Sequence, residues 1–179
     1  LDPKTGEYRA KSQTKEVAAV TKALPSVEDP RERIRKLLAD KGPAGSFAWK
    51  VTARALAYAA RRIPEITDDL DAIDDAMKWG YNWELGPFEV WDALGFVETA
   101  DAMEKAGVKL PDSIKKMKAS GAKAFYADGK VFDLLKGEYV AIKEDPRYAT
   151  LPQLRKGGKP VLKNDGAEAW DLGDGVLGL

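Results

Sequence analysis

The sequence contains neither cysteine nor histidine among its 179 residues. The absence of cysteine excludes disulfides and thiolate chemistry, which suits a cytoplasmic protein. The absence of histidine removes the commonest general base and metal ligand. Any acid–base chemistry in this chain would therefore depend on carboxylates, lysine or tyrosine.

Long apolar runs are also missing. No stretch of about 18 apolar residues is present, which is the length that a membrane-spanning helix needs. The opening residues, LDPKTGEYRA, lack the pattern of a signal peptide. We expect a soluble cytoplasmic protein without a membrane span, consisting of one ordinary domain or of one domain with pieces of its neighbours attached.

The charges balance overall but not locally. Residues 42–107 carry twelve acids against six bases, whereas residues 108–163 carry thirteen bases against six acids. Such blocks indicate a chain assembled from segments. The basic block raises the alternative of a nucleic-acid binder, but its lysines are spread along predicted loops without a helix-turn-helix or RNP-like pattern. A solvated linker is the favoured interpretation, and we expect no nucleic-acid partner.

Five segments combine helical periodicity with signals for helix ends: 29–40, 46–63, 67–80, 97–107 and 111–121. Asp29 followed by Pro30 predicts the start of the first, and Ser46 and Thr67 are the predicted N-caps of the next two. Gly80 is the predicted end of the third. The apolar stripe expected in the core from the second segment is Trp49, Ala53, Leu56, Ala57 and Ala60.

Short strands are predicted after the last helix. Asp128-Gly129 lies between two aromatic-containing runs and is a strong hairpin signal, and GEYVAI supplies a third strand. Residues 143–163 contain three prolines and a Gly-Gly pair, which is the composition of a linker. The predicted fold is mainly α, a helical bundle of about five helices with a small β-hairpin or meander after the last helix.

A short internal repeat is present. LDPKTGEYRA at 1–10 matches FDLLKGEYVA at 132–141, with Asp, Gly, Glu, Tyr and Ala recurring at an offset of 131 residues. A single short match also fits coincidence. A tandem duplication would instead make residues 1–10 the tail of a preceding copy.

The stretch GDGVLG at 173–178 matches the dinucleotide fingerprint G-x-G-x-x-G. That fingerprint works only when a strand precedes it and a helix follows, so that backbone amides meet a pyrophosphate. Only Leu179 follows here, and Asp174-Gly175 is typical of a hairpin turn. We therefore predict a hairpin at this position and no cofactor site in this chain.

Acidic residues suggest a cation site and a catalytic carboxylate pair, but we interpret both groups as structural rather than functional. The acids between residues 68 and 75 have helical spacing and no glycine bend, so a cation site is disfavoured. We expect them to face solvent, with Asp74 paired to Lys78. Glu89 and Asp92 form a potential carboxylate pair, but on a surface turn of helix they would be ordinary ions. No metal site is expected.

The stretch ELGPFEVWDALG at 84–95 is the most distinctive in the chain. Gly86 is a predicted cap, Pro87 starts a short helix, and Glu89 is placed to reach back toward the cap. Phe88 and Trp91 form the predicted buried stripe of that helix. The pattern therefore indicates a structural joint rather than a catalytic site.

The longer stretch that ends with this motif, AIDDAMKWGYNWELGPFEVWDALG, resembles the helical C-terminal region of 3-hydroxyacyl-CoA dehydrogenases. The similarity extends back through FAWKVTARALAYAARRIPEI. LDPKTGEY resembles the end of a first helical repeat, and NDGAEAWDLGDGVLGL resembles the opening hairpin of an enoyl-CoA hydratase domain. The resemblance implies four parts: 1–25, tail of the preceding repeat and linker; 26–142, the helical dehydrogenase-type domain with its hairpin; 143–163, a linker; and 164–179, the start of a truncated hydratase-like domain.

The resemblance implies a parent enzyme that oxidises 3-hydroxyacyl-CoA with NAD in fatty-acid β-oxidation. The family's catalytic His-Glu pair lies in the NAD-binding domain, and its substrate-contacting Asn-Arg aligns with Lys50 and Val51, which do not match. No catalytic or cofactor-binding residue therefore carries over. Gly86-Pro87-Phe88-Glu89 carries over as a structural signature. Family helical domains form the outer wall of the substrate cleft and the dimer contact, and the resemblance implies the same roles here.

Tryptophan is concentrated in the helical region, where Trp49, Trp79, Trp83 and Trp91 fall within 43 residues. This is more indole than one small core usually absorbs, and large exposed apolar patches favour association. We expect a homodimer formed through the 46–63 helix and the region around Trp79 and Trp83, with no affinity for NAD. The other partners implied are the chain's own NAD-binding, first helical and hydratase domains. The alternative is a stand-alone helical interaction module without a metabolic role.

Overall fold

The computed structural model describes residues 2, 4–8, 15–142 and 158–178. The chain divides into two compact units, Leu1–Ile142 and Lys143–Leu179. In the described part of the chain, no helix is long and apolar enough to cross a membrane.

The first unit is mainly helical. In its described residues the α-helices are α1 (Lys15–Ala23), α2 (Pro30–Ala39), α3 (Pro43–Arg61), α4 (Leu70–Tyr81), α5 (Pro87–Leu94), α6 (Phe96–Lys105) and α7 (Asp112–Ala119). A small antiparallel sheet follows, formed by β1 (Tyr126–Ala127), β2 (Lys130–Asp133) and β3 (Glu138–Ala141). The prediction of a mainly α fold with a small β part is confirmed. Helix α1, which contacts α3, lies in the segment predicted as a tail and linker.

Helix α2 begins as predicted, whereas α3 begins earlier than predicted. The Asp29 carboxylate accepts a hydrogen bond from a backbone N–H in the first turn of α2 at 2.9 Å. The prediction of Ser46 as the cap of the next helix is wrong, because α3 starts at Pro43. Proline is preorganised for a first helical position, and the Asp40 carboxylate accepts a hydrogen bond from the Gly45 N–H at 2.9 Å.

Both predicted ends of α4 are wrong. The hydroxyl of Thr67 accepts a hydrogen bond from the Asp69 N–H at 3.2 Å, so Thr67 stabilises a turn before the helix and Asp69 is the N-cap. The helix continues through Gly80 to Tyr81 and ends where Asn82 adopts a left-handed φ of 55°. Asparagine tolerates this conformation because its short polar side chain bonds locally.

The core of the first unit is an aromatic cluster packed on the alanine-rich face of α3. The ring of Phe125 lies 4.9 Å from Phe88, 5.3 Å from Trp91 and 4.9 Å from Phe96, in edge-to-face contacts. Four of the five residues of the predicted α3 stripe are buried, namely Ala53, Leu56, Ala57 and Ala60. Small residues on α3 leave the space that the large rings of α5 and α6 fill.

The predicted hairpin after the last helix is present. Asp128 and Gly129 have φ values of 52° and 72°, which is the requirement of a type I′ turn, and they join Ala127 to Lys130. Val131 and Phe132 of β2 are buried in the core. The turn chemistry in the sequence was therefore sufficient to position this hairpin.

The internal sequence repeat is also a structural repeat. The Gly6 N–H donates to the Asp2 carbonyl at 2.8 Å, and the Gly137 N–H donates to the Asp133 carbonyl at 2.8 Å. Each aspartate side chain also accepts a hydrogen bond at 2.9 Å from the N–H two residues further on. The two glycines have φ values of 73° and 79°, which glycine adopts without steric cost. The two segments thus form the same turn.

The second unit is described from residue 158 to residue 178. Its strands are β4 (Leu162–Lys163), β5 (Glu168–Gly173) and β6 (Val176–Gly178), all antiparallel. The predicted turn at Asp174-Gly175 is present, with φ values of 52° and 78°. Strand β4 falls at the end of the segment predicted as a linker, whose residues 143–157 lie outside the described part of the chain.

Candidate functional site

The distinctive stretch at 84–95 forms the start of helix α5. Gly86 is the N-cap and Pro87 the first helical residue. The Glu89 carboxylate reaches back and accepts a hydrogen bond from the Gly86 N–H at 2.7 Å, as predicted. Glycine has no side chain with which to accept the remaining N–H groups of the first turn, so these groups need an acceptor from elsewhere.

Asp74 of α4 supplies that acceptor. Its Oδ1 accepts the Phe88 N–H at 2.8 Å and its Oδ2 accepts the Glu89 N–H at 3.1 Å. The Asp74 side chain is fully buried, so the prediction that it faces solvent and pairs with Lys78 is wrong. Asp74 is one helical turn after the buried Leu70 and therefore lies on the inward face of α4. The positive end of the α5 dipole favours its charge there.

Lys78 forms ion pairs with two other acids. Its ammonium lies 3.0 Å from the Asp75 carboxylate and 3.1 Å from the Glu89 carboxylate. Burial lowers the pKa of Lys78, but the hydrogen bonds with Asp75 and Glu89 outweigh burial, so the net shift is upward. Glu89 is thus held both by the cap that it forms and by α4.

A second aspartate, Asp92, holds the C-terminal end of α5 by hydrogen bonds. Asp92 Oδ1 accepts the Phe125 N–H at 2.8 Å and Oδ2 accepts the Tyr126 N–H at 2.9 Å. The Tyr126 hydroxyl donates to Asp74 Oδ2 at 2.8 Å, so Tyr126 is bound to both aspartates. The prediction that Asp92 is an ordinary surface ion is therefore wrong. Asp74, Asp92 and Tyr126 together fix α5 between α4 and the sheet.

Burial determines the protonation of these groups. It raises the pKa of Asp74 to about 7 and the pKa of Asp92 to about 6, against the opposing effect of the backbone N–H donors. Burial and the adjacent charge of Asp74 raise the pKa of Tyr126 far above its ordinary value. Tyr126 therefore keeps its proton and remains a donor, whereas the two aspartates titrate near neutral pH.

We expect these two carboxyl groups to make the free energy of unfolding fall as the pH rises from about 4 to about 7. Over that interval the folded chain retains protons that the unfolded chain has released, because the folded pKa values are raised. The stabilisation is complete at low pH and is lost as the pH passes the folded values. Urea unfolding at constant ionic strength measures the effect.

Two Asp-to-Asn variants accompany this measurement, one as the test of the assignment and one as its control. Asp92→Asn should flatten part of the pH dependence, since it removes one of the two titrating groups. Asp68→Asn removes an exposed acid outside this cluster and is the matched variant for the change in net charge. An identical pH profile for the parent and Asp92→Asn would contradict the assignment.

A polar cleft of about 550 Å³ borders these contacts. Its lining includes Arg31, Arg35, Glu89, Asp92 and Tyr126. Every oxygen of Asp74 and Asp92 already accepts a hydrogen bond from the protein, and Asp74 has no exposed surface. Among the described residues, no group of three or more acids is placed to hold a metal ion. The arrangement fixes α5 in place and presents no unoccupied carboxylate as a base.

Sequence periodicity did not identify Asp74, Asp92 and Tyr126 as the residues that hold α5 in place. The available signal was the spacing of Asp74 from Leu70, which puts an acid on an apolar face. An acid on an apolar face indicates a buried partner. No comparable signal identifies Asp92, because its partners, Phe125 and Tyr126 at the start of β1, lie 33 and 34 residues further along the chain.

The tryptophans predicted as interface candidates differ in exposure. Trp79 is 81% exposed and Trp83 is 44% exposed, whereas Trp49 is half-buried against the core. Trp91 is fully buried, and its Nε1–H donates to the Phe96 carbonyl at 3.1 Å. The structure therefore leaves two of the four indoles on the surface.

Comparison with known proteins gives relatives by sequence but not by structure. No family model matches the chain, and no solved structure matches it. The chain is 39% identical over 178 residues to a "Probable 3-hydroxyacyl-CoA dehydrogenase" of Bacillus subtilis (strain 168), a match that covers 98% of this chain and 22% of the relative. The chain thus spans about a fifth of the length of that relative.

Two further relatives are each described as "Putative fatty acid oxidation complex trifunctional enzyme". The protein of Rickettsia felis is 32% identical over 76 residues, covering 38% of this chain and 10% of the relative. The protein of Rickettsia prowazekii is 26% identical over 114 residues, covering 55% of this chain and 15% of the relative. The resemblance inferred from the sequence is confirmed: this chain is similar to a segment of 3-hydroxyacyl-CoA dehydrogenases and fatty-acid oxidation enzymes.

Proposed function

We propose that this chain is a non-catalytic helical segment of a multifunctional fatty-acid β-oxidation enzyme of the cytoplasm. In this proposal the complete enzyme oxidises 3-hydroxyacyl-CoA with NAD and hydrates enoyl-CoA, and this segment forms an outer wall of the substrate cleft and a scaffold for dimerisation. The observation that carries the proposal is the similarity over 98% of this chain to a segment that makes up 22% of a dehydrogenase.

The repeated turn supports a preceding helical repeat. Asp2 and Gly6 have the same hydrogen bonds and backbone conformation as Asp133 and Gly137. In the second copy this turn joins β2 to β3 at the end of the helical domain. The first copy is therefore interpreted as the end of an equivalent domain that comes before it.

The small sheet of the second unit supports a following domain. Four large apolar side chains of its strands are exposed, namely Leu162, Leu172, Val176 and Leu177. Three short strands with this much exposed apolar surface need further packing to be stable. We assign this sheet to the start of the hydratase domain, whose remaining residues would cover those side chains.

The scaffold role accounts for the distinctive motif. Gly86, Phe88 and Glu89 act through backbone capping and core packing, and the nearby carboxylates of Asp74 and Asp92 are committed to backbone N–H groups. A stand-alone interaction module is the alternative. It would leave the continuous similarity across both units without a reason.

We expect the isolated chain to produce no NADH from NAD and a 3-hydroxyacyl-CoA. It contains no histidine, the usual general base for such chemistry, and every carboxylate oxygen of Asp74 and Asp92 already accepts a hydrogen bond. The measurement is NADH absorbance with the Bacillus subtilis relative as the positive control. A steady rate above that of buffer would contradict the non-catalytic assignment.

The surrounding coding sequence separates the proposal from its alternative. A G-x-G-x-x-G after a first strand, encoded upstream in the same reading frame, would support the multifunctional enzyme. A start codon immediately before Leu1 would overturn it and leave the stand-alone module.

A further inference from the structure

The three arginines of helix α2 differ in what they contact. Arg33 is fully engaged, because its Nε and one Nη donate to backbone carbonyls and its other Nη is paired with Glu84 at 2.6 Å. Arg35 uses only its Nε, which donates to the Ala93 carbonyl at 2.6 Å. The guanidinium of Arg31 forms no hydrogen bond or ion pair with any residue that the structure describes. Arg31 and the Nη groups of Arg35 are therefore donors that the described chain does not use.

Arg31 and Arg35 both line the polar cleft beside α5. They are four residues apart, so they lie on the same face of α2. The hydrogen bond to Ala93 holds the Arg35 guanidinium at the C-terminal end of α5. Burial is the main influence on the pKa of Asp92, and Arg31 is near enough for its charge to oppose that effect. These interactions place both guanidinium groups at one cleft.

Helix stability does not explain the position of Arg31. It lies in the first turn of α2, directly after Pro30. The dipole of a helix favours anions rather than cations at this end. A cation that opposes the dipole and has no described partner is available to bind a ligand.

The acidic groups of the cleft already have donors. Both carboxylate oxygens of Asp92 accept backbone N–H groups. The Glu89 carboxylate accepts a backbone N–H at 2.7 Å and is paired with Lys78 at 3.1 Å. The Tyr126 hydroxyl donates to Asp74. Within the described residues, the unused hydrogen-bonding groups of the cleft are thus its arginine donors, and the complementary ligand is an anion.

A phosphate group suits this pair of donors better than a carboxylate. A single guanidinium can satisfy both oxygens of a carboxylate in a bidentate pair. A phosphate monoester has three terminal oxygens and a charge of about −1.5 to −2 at pH 7, so two guanidinium groups can bind it at once. The cleft volume of about 550 Å³ is that of a small-molecule site, and Ala93 and Ala124 add apolar surface to its lining.

We propose that this cleft binds a phosphate group, either free or carried by a small molecule, with Arg31 and Arg35 donating to the phosphate oxygens. Arg35 is positioned in advance by its hydrogen bond to the end of α5, so it loses little side-chain freedom when the ligand binds. The site is independent of the enzyme family proposed above, since it is built only from contacts within this chain.

Arg31→Gln is the variant that tests the site. Its side chain has no hydrogen bond or ion pair within the described residues, so the variant should keep the fold of the parent, which circular dichroism verifies. The loss of charge-assisted hydrogen bonds should weaken the binding of phenyl phosphate roughly tenfold or more. Arg31→Lys keeps the charge but not the planar fork, and its affinity should be intermediate. The matched control is Arg54→Gln, which removes an exposed arginine of α3 outside the cleft and should leave binding unchanged.

Isothermal titration calorimetry at constant ionic strength measures the binding of three probes. Phenyl phosphate carries a phosphate and an organic ring, inorganic phosphate carries the phosphate alone, and benzoate carries a carboxylate on the same ring. We expect one phosphate to bind per chain. Tighter binding of phenyl phosphate would identify a phosphorylated small molecule as the ligand, whereas equal or tighter binding of inorganic phosphate would identify the free ion.

Three results would overturn the inference. The first is that neither phosphate binds at concentrations up to about 10 mM. The second is an equal loss of affinity in Arg31→Gln and Arg54→Gln, which would show attraction to positive charge in general. The third is that benzoate binds as tightly as phenyl phosphate, which would assign the cleft to carboxylates.

Discussion

Replacing Phe88 with alanine should lower the free energy of unfolding by roughly 3–5 kcal/mol. The Phe88 side chain has no exposed surface, and its ring meets Phe125 edge to face at 4.9 Å. Phe125 in turn contacts Trp91 and Phe96, so the cavity would open at the centre of the aromatic cluster. The surrounding rings are fixed by their mutual contacts and have little freedom to collapse into the space.

Chemical denaturation of the parent and the Phe88→Ala variant measures this effect. The matched control is Phe47→Ala, which removes the same ring from an exposed position on α3. At concentrations where the chain is monomeric, that control should change stability by no more than about 0.5 kcal/mol. If Phe88→Ala and the parent unfold at the same denaturant concentration, the motif at 84–95 does not stabilise the core as a structural joint.

Replacing Gly86 with alanine should destabilise the chain by about 3 kcal/mol or more. The added methyl group would lie 2.3 Å from Cβ and 2.4 Å from Cα of Asp74. These atoms are the Cα and Cβ of a buried residue on the inward face of α4, so relief requires α4 and α5 to separate. That movement would also lengthen the hydrogen bonds from the N–H groups of Phe88 and Glu89 to the Asp74 carboxylate.

Gly80→Ala is the control for this substitution. Gly80 lies within α4 itself, near its C-terminal end, and a methyl group there meets nothing within 4 Å. Alanine favours the helix over glycine, so this variant should gain up to about 1 kcal/mol in stability. Equal stability of Gly86→Ala and the parent would show that the close approach of α4 and α5 is not required.

Local chemistry made the turns and several helix ends predictable. A two-residue hairpin needs positive φ at both central positions, so Asp128-Gly129 and Asp174-Gly175 indicate hairpins without any knowledge of the fold. The Pro87 start and the Glu89 cap follow from interactions within four residues. Such features depend on neighbours in sequence, which are always neighbours in space.

The failures occurred where the deciding partner is distant in sequence. Asp74 has the appearance of a surface acid in a run of acids, and only the position of α5 against α4 gives it two backbone N–H donors. Asp92 is partly buried because the chain returns to it at Phe125 and Tyr126. A prediction from the helical sequence pattern places a carboxylate on the surface unless a partner is known, because burying an unpaired charge costs free energy.

The sequence by itself determined the mainly helical fold, the hairpins and the use of Gly86, Phe88 and Trp91 as a structural joint. These depend on backbone conformation and on hydrophobic pattern, both of which are encoded locally. Only the tertiary structure decided that Asp74 replaces the side chain that Gly86 lacks. That exchange requires two helices to approach closely enough for a carboxylate on one to receive the N–H groups of the other, and helix packing alone provides it.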